Sequence, residues 1–64
     1  MNIILNDEPV ALSGETVADL IAQIMPEKPF AVAVNTAFVP KTAYESTRLN
    51  GGDKVDIVRP VVGG

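Results

Sequence analysis

The spacing of hydrophobic positions changes along the chain, and each spacing predicts a different element. Near the N-terminus, mostly apolar residues 2–6 and 10–12 flank the turn-forming stretch NDEP, which predicts a β-hairpin. The spacing then becomes i, i+3, i+4 and i+7, which is one face of a helix: Val17, Leu20, Ile21 and Ile24. Thr16 and Asp19 resemble a capping box at its start. Pro26 predicts its end, because proline disfavours helical geometry at the preceding residue.

Alternation with a period of two returns after the helix. Residues 30–34 predict a strand with Phe30, Val32 and Val34 on one face and Ala31 and Ala33 on the other. The two alanines could face the helix or lie on the open face of the sheet. We favour the open face, because the larger side chains suit the core better.

The remaining elements are short. Residues 35–36 predict a turn and residues 38–39 a short return strand. The stretch 41–49 is ambiguous between a helical turn and an irregular crossing. The NGGD sequence at 50–53 predicts a hairpin turn, and residues 54–58 predict the last strand.

This order of elements predicts an α+β fold of the β-grasp (ubiquitin-like) type. We expect a mixed sheet of four to five strands with one main helix packed on one face. One helix covers only one face of such a sheet, so the other face is left to solvent or a partner. We expect residues 1–59 to form the β-grasp domain and residues 60–64 to form a flexible tail.

Composition excludes most chemistry by the chain's own side chains. The 64 residues include no cysteine and no histidine, which removes the thiolate nucleophile, the usual general base and the commonest metal ligand. The net charge of −3 argues against a nucleic-acid partner. The N-terminus does not resemble a signal peptide, and no stretch is long enough to cross a membrane. We therefore expect a cytoplasmic protein that is monomeric alone, binds no metal and has no catalytic residues of its own.

The charged residues that remain suggest only weak candidates. An acid–base pair is conceivable among Asp7, Glu8, Asp53 and Asp56, but solvated turn and strand positions explain them better, since no pocket is implied that would shift a pKa. Arg59 stands where the last strand releases the tail. It could be a solubilising residue or could steer docking to an acidic partner.

The tail is the remaining candidate. Pro60 prevents the last strand from extending its ladder, and Val61 and Val62 are followed by Gly63 and Gly64, which have no side chains. Two interpretations stay open. The tail is an ordinary frayed terminus, or it is a segment that threads a narrow channel and presents the Gly64 carboxylate to another enzyme.

Several stretches resemble the sulfur carrier proteins of thiamin biosynthesis, the ThiS family. The most specific are VNTAFVP at residues 34–40, the Gly52-Asp53 turn, and a last strand that leads to VVGG at the C-terminus. The resemblance covers the whole chain. It implies a β-grasp fold, in agreement with the hydrophobic pattern.

The resemblance also implies a mechanism. An E1-like adenylyltransferase would use ATP and magnesium to convert the Gly64 carboxylate to an acyl-adenylate. Sulfur from a persulfide, supplied by a cysteine desulfurase or a persulfide carrier, would displace AMP and leave a thiocarboxylate for thiazole synthase. The chain itself would bind no cofactor. Residues 60–63 would thread the partner's channel, and the docking residues would be Val58, Arg59, Ala31 and Ala33.

Two other functions stay open at this point. The same terminal chemistry would serve a sulfur carrier for molybdopterin synthesis or another product. Alternatively, the chain is a β-grasp interaction module or modifier whose tail carries no sulfur.

Overall fold

The computed structural model describes residues 1–59, which form a five-stranded mixed sheet with one α-helix on one face. The elements are β1 (Asn2–Leu5), β2 (Glu8–Ala11), α1 (Val17–Ile24), β3 (Ala31–Val34), β4 (Ala37–Val39), the 3₁₀-helix η1 (Lys41–Ala43) and β5 (Lys54–Val58). The strand order is β2-β1-β5-β3-β4. The pair β1–β5 is parallel and the other neighbours are antiparallel. This is the predicted β-grasp architecture.

Two tight hairpins fix the register of the outer strands. Asn6-Asp7 joins β1 to β2 and Asn35-Thr36 joins β3 to β4, and all four residues have positive φ between 48° and 72°. Two-residue hairpins favour such turns, and asparagine tolerates them better than most residues. Because the first turn pairs Leu5 with Glu8, the second strand begins at Glu8 and ends at Ala11, not at the predicted residues 10–12.

The helix begins and ends at the predicted residues. The Thr16 Oγ1 accepts a hydrogen bond from the Asp19 N–H at 3.1 Å, and the Asp19 Oδ2 accepts one from the Thr16 N–H at 3.1 Å. This reciprocal capping box satisfies two donors that a helix start would otherwise leave without partners. Met25, directly before Pro26, adopts the left-handed conformation with φ 47° and donates its N–H to the Ile21 carbonyl at 2.8 Å.

The NGGD stretch is a turn, but the prediction that it closes a hairpin is wrong. Asn50 and Asp53 are joined by two hydrogen bonds: the Asp53 N–H donates to the Asn50 carbonyl at 3.1 Å, and the Asn50 N–H donates to the Asp53 Oδ2 at 2.8 Å. The strand that follows, β5, pairs with β1 and β3 instead of with the residues before the turn. A turn sequence specifies the reversal of the chain but not the partner of the next strand.

The core lies between α1 and the face of the sheet that it covers. Its fully or almost fully buried members are apolar: Ile3, Leu12, Val17, Leu20, Val32, Val39, Leu49 and Val55. Val32 stands opposite Val39 on one side and Ile57 on the other, so these residues share the helix-facing side. Ala31 and Ala33 alternate with Val32 and lie on the open face, as expected.

None of the helices within residues 1–59 is long and apolar enough to cross a bilayer. The helix α1 has eight residues, and spanning the hydrocarbon core takes roughly 20.

Candidate functional site

The strand β5 leads directly to the predicted tail and is fixed along both edges. On one side, Leu5 is in parallel register with Val55, and the Asn6 N–H donates to the Val55 carbonyl at 3.0 Å. On the other side, β3 pairs with β5 in antiparallel register, and Ala31 stands opposite Val58. Val55 is fully buried. The strand from which residue 59 emerges is therefore a central strand, anchored by the core.

The side chain of Asn6 extends this anchoring beyond the end of β1. Its Oδ1 accepts a hydrogen bond from the Ile57 N–H at 2.8 Å, and its Nδ2 donates to the Ile57 carbonyl at 3.4 Å. The amide thereby takes the place of one more residue of a β-ladder next to β5. Ile57 is held two residues before Arg59, although β1 itself ends at Leu5.

The sequence pattern does not predict this role of Asn6. An asparagine in the stretch NDEP indicates a turn, and the turn is present. Its contact with Ile57 joins residues 51 positions apart, and no local pattern predicts such a contact.

Arg59 is the last residue that the structure describes, and its guanidinium lies beside the segment that precedes β3. Its Nη2 is 3.1 Å from the Glu27 Oε2, and both side chains are largely exposed. An exposed pair of this kind contributes about 0–1 kcal/mol to stability. The ion pair therefore places the Arg59 guanidinium beside Glu27 at the end of the described chain and adds little to stability.

The open face of the sheet carries an apolar surface next to β5, which we call the open-face patch: Ala31, Ala33, Phe38 and Val58. Ala33 stands between Phe38 on β4 and Asp56 on β5, and Ala31 stands opposite Val58. The residues Phe38 and Val58 are 68% and 56% exposed. Large apolar side chains presented in this way are typical of an interaction site.

Phe38 was not among the predicted docking residues. The signal that could have identified it is its alternation with Val39 in the return strand, which places Phe38 on the face opposite the core.

The predicted tail residues, Pro60, Val61, Val62, Gly63 and Gly64, lie outside the described residues. The structure brings three of the predicted docking residues together on the open face: Ala31, Ala33 and Val58. Arg59 follows Val58 directly at the end of β5.

The candidate carboxylates lie at turn and strand positions: Asp7 and Asp53 at turns, Glu8 on β2 and Asp56 on β5. No group of three or more carboxylate, histidine or cysteine side chains within residues 1–59 could hold a metal ion. The Asp53 Oδ2 accepts a hydrogen bond from the Asn50 N–H within the turn at 2.8 Å, and its Oδ1 accepts a hydrogen bond from the Asn35 Nδ2 of the β3–β4 hairpin at 3.3 Å. The Asp7 Oδ1 is 3.9 Å from the Lys54 Nζ.

Comparisons with known proteins identify a family and a similar fold. The model of the ThiS family matches residues 3–64. The fold is similar to that of the crystal structure of a thiamine biosynthesis protein (ThiS) from Geobacter metallireducens, with a TM-score of 0.85, 23% sequence identity and complete coverage of both chains. None of the functionally curated proteins matches the chain. Because the family model covers nearly the whole sequence, this chain belongs to the ThiS family.

Proposed function

We propose that this protein is a sulfur carrier of thiamin biosynthesis whose C-terminal Gly64 carboxylate accepts and delivers the sulfur. Membership of the ThiS family supports the carrier role. The observation that carries the proposal is the anchoring of β5. This central strand is held by β1, β3 and the Asn6 amide, and in the sequence only residues 59–62 separate it from Gly63 and Gly64.

The chemistry requires activation by another protein, because a carboxylate is a poor electrophile. A Gly64 carboxylate oxygen attacks the α-phosphorus of ATP, and pyrophosphate leaves with its magnesium ion. The terminal sulfur of a protein persulfide then attacks the acyl carbon, and AMP leaves with the electron pair of the C–O bond. A thiol finally cleaves the S–S bond, which releases the Gly64 thiocarboxylate and forms a disulfide on the donor side.

The carrier supplies none of the catalytic groups for these steps and acts as a co-substrate. The activating partner is an E1-like adenylyltransferase, the sulfur comes from a cysteine desulfurase or persulfide carrier, and the acceptor is thiazole synthase. Gly63 and Gly64 lack a Cβ, so they fit a channel that a larger residue would block. Val62, Val61 and Pro60 thread the same channel.

The open-face patch is the surface on which these partners dock. Burial of Phe38 and Val58 supplies apolar contact, while the half-buried Ala31 and Ala33 let a partner's backbone approach closely. Arg59 stands where the patch meets the tail and can exchange Glu27 for an acidic group of the partner. The docking surface therefore adjoins the tail at the end of β5.

Complementation tests the proposed pathway. The gene is expressed in one bacterial strain that lacks its thiazole sulfur carrier and in another that lacks the small subunit of molybdopterin synthase. We expect growth without thiamin in the first strain and no restored molybdoenzyme activity in the second. A chain that lacks Gly64 serves as the control and should restore neither function. Rescue of the molybdopterin strain alone would overturn the assignment to thiamin.

A further inference from the structure

A groove runs along the helix side of the molecule, away from the open-face patch. It consists of two adjoining cavities of about 580 and 400 Å³ that share Ile21, Lys41 and Tyr44. The first extends to Ala18 on α1 and to the acidic residue Glu45 after η1, and the second extends to Lys28, Pro29 and Phe30 before β3. We call this feature the α1–η1 groove. Cavities of a few hundred Å³ are in the range that accommodates ligands and side chains of partners.

The residues that line the groove contact one another. The rings of Phe30 and Tyr44 stack with centroids 6.4 Å apart and an angle of 16° between their planes. The Ala18 N–H donates to the Tyr44 carbonyl at 3.0 Å, which ties the segment after η1 to the helix. Ile21, Phe30 and Tyr44 stay half-buried and apolar in this arrangement. An occupant that brings apolar side chains therefore meets a preformed surface.

One end of the groove is basic, although the chain as a whole carries a net charge of −3. Lys28 and Lys41 both line the smaller cavity and are exposed. The other basic side chains, Arg48, Lys54 and Arg59, each form an ion pair with a carboxylate. Within residues 1–59, by contrast, neither groove lysine lies within 4.0 Å of a carboxylate. The basic end thus suits an occupant that combines an acidic group with apolar ones.

The basic end also adjoins the place where the tail leaves the sheet. Because Ala31 stands opposite Val58 in antiparallel register, Arg59 continues alongside Phe30. The ion pair between Arg59 and Glu27 places the start of the tail next to Lys28. A protein that receives the tail is consequently brought beside this end of the groove.

We propose that the α1–η1 groove is a second docking surface, which binds an acidic segment with apolar side chains belonging to the protein that activates the tail. This inference rests on the proposed function for the identity of the partner. The acidic group sits between Lys28 and Lys41, and the apolar side chains pack on Ile21, Phe30 and Tyr44. The groove and the open-face patch lie on different sides of the sheet, so the activating protein contacts the domain on both sides.

Titration calorimetry of the chain into its E1-like adenylyltransferase tests the groove. Lys41→Glu is compared with Arg48→Glu, which changes the net charge equally but lies outside the groove lining. Lys41 is exposed, and the hydrogen bond from the Tyr44 N–H to its carbonyl at 3.3 Å does not involve the side chain, so the variant should fold. We expect Lys41→Glu to weaken binding roughly tenfold or more and Arg48→Glu to change it less than about twofold.

The other outcomes of this experiment separate the inference from the proposed function. If both variants weaken binding equally, or if neither weakens it, the inference that the groove is a docking surface is overturned. Sedimentation that shows a dimer of the chain, dissociated by Lys41→Glu, assigns the groove to a second copy and also overturns the inference. Sulfur loading of the wild-type chain is followed in the same samples. Lys41-dependent binding without any loading would support the groove and overturn the proposed function.

Discussion

The carboxylate of Asp19 shows how one residue at the helix start makes stability depend on pH. Hydrogen bonds from the Glu15 and Thr16 backbone N–H groups, together with the Thr16 side chain, lower the pKa of Asp19 below its ordinary value of 3.8. These bonds favour the ionised form. Their contribution is therefore present above the ordinary pKa and lost as the pH falls through the lower folded-state pKa.

We predict that Asp19→Asn lowers the midpoint of urea unfolding at neutral pH. The difference from wild type should shrink as the pH is lowered from about 7 to about 2, because protonation removes the same interaction from the wild-type chain. Urea titrations of both proteins across this range provide the measurement. A difference that stays constant down to the lowest pH would show that the charge of Asp19 does not stabilise the cap.

The neighbouring Gly14 is explained by the same carboxylate. Its φ is +144°, and a Cβ built there would lie 2.6 Å from the Asp19 Cβ and 2.7 Å from its Oδ2. Only glycine leaves room for the Asp19 side chain to reach back to the Glu15 and Thr16 N–H groups. The SGET sequence before the helix is therefore one capping unit, of which the pattern of residues indicates only the Thr16–Asp19 part.

At the scale of elements, the last part of β5 depends on an amide from a distant turn. Replacing Asn6 by glycine keeps its positive φ accessible and removes both hydrogen bonds to Ile57. A hydrogen bond of this kind contributes a net 0.5–1.5 kcal/mol or so. We predict that hydrogen exchange of the Ile57 amide becomes several-fold faster in Asn6→Gly, as measured by NMR.

Asn35→Gly is the matched control, because Asn35 occupies the equivalent position in the second hairpin and its Oδ1 accepts from the Lys54 N–H at 3.0 Å. This variant should accelerate exchange at Lys54 and leave Ile57 unchanged. Unchanged exchange at Ile57 in Asn6→Gly would mean that the amide does not secure the end of β5.

The elements differ in how far the sequence predicts them. The helix bounds follow from local signals, since Thr16 and Asp19 act within the first turn and Pro26 acts on the residue directly before it. The pairing of β5 does not, because its partners β1 and β3 are separated from it by many residues and a parallel neighbour has no turn signal. The NGGD turn was for this reason assigned to a hairpin that does not exist. The 3₁₀-helix η1 follows Pro40 in a stretch with no clear periodicity.

At the scale of the whole molecule, the candidate site could be predicted only in part. The absence of cysteine and histidine and the terminal Gly-Gly are visible in the sequence and direct attention to the tail. Alternation put Ala31 and Ala33 on one face of the strand, and the larger side chains on the other face favoured the open face for the alanines. The contacts that join distant segments were not accessible: Asn6 with Ile57, Glu27 with Arg59, and α1 with the residues after η1.

The whole molecule is organised around one strand. The core buries Val55 at one end of β5, and the other end carries the exposed Val58 and Arg59. The folded domain therefore holds the start of the tail in a defined position between the open-face patch and the basic end of the α1–η1 groove. In the proposed function, this position is what the domain contributes to chemistry that other proteins perform.

Intact-mass spectrometry of the C-terminus tests the central claim most directly. The wild-type chain and a truncated chain that lacks Gly64 are each incubated with the adenylyltransferase, ATP, magnesium and a persulfide sulfur source. We predict that the wild-type mass rises by the difference between sulfur and oxygen, that fragmentation places the change on Gly64, and that the truncated chain is unchanged. An unmodified wild-type chain in an enzyme system that loads another ThiS-family carrier, or equal loading of the truncated chain, would contradict the account.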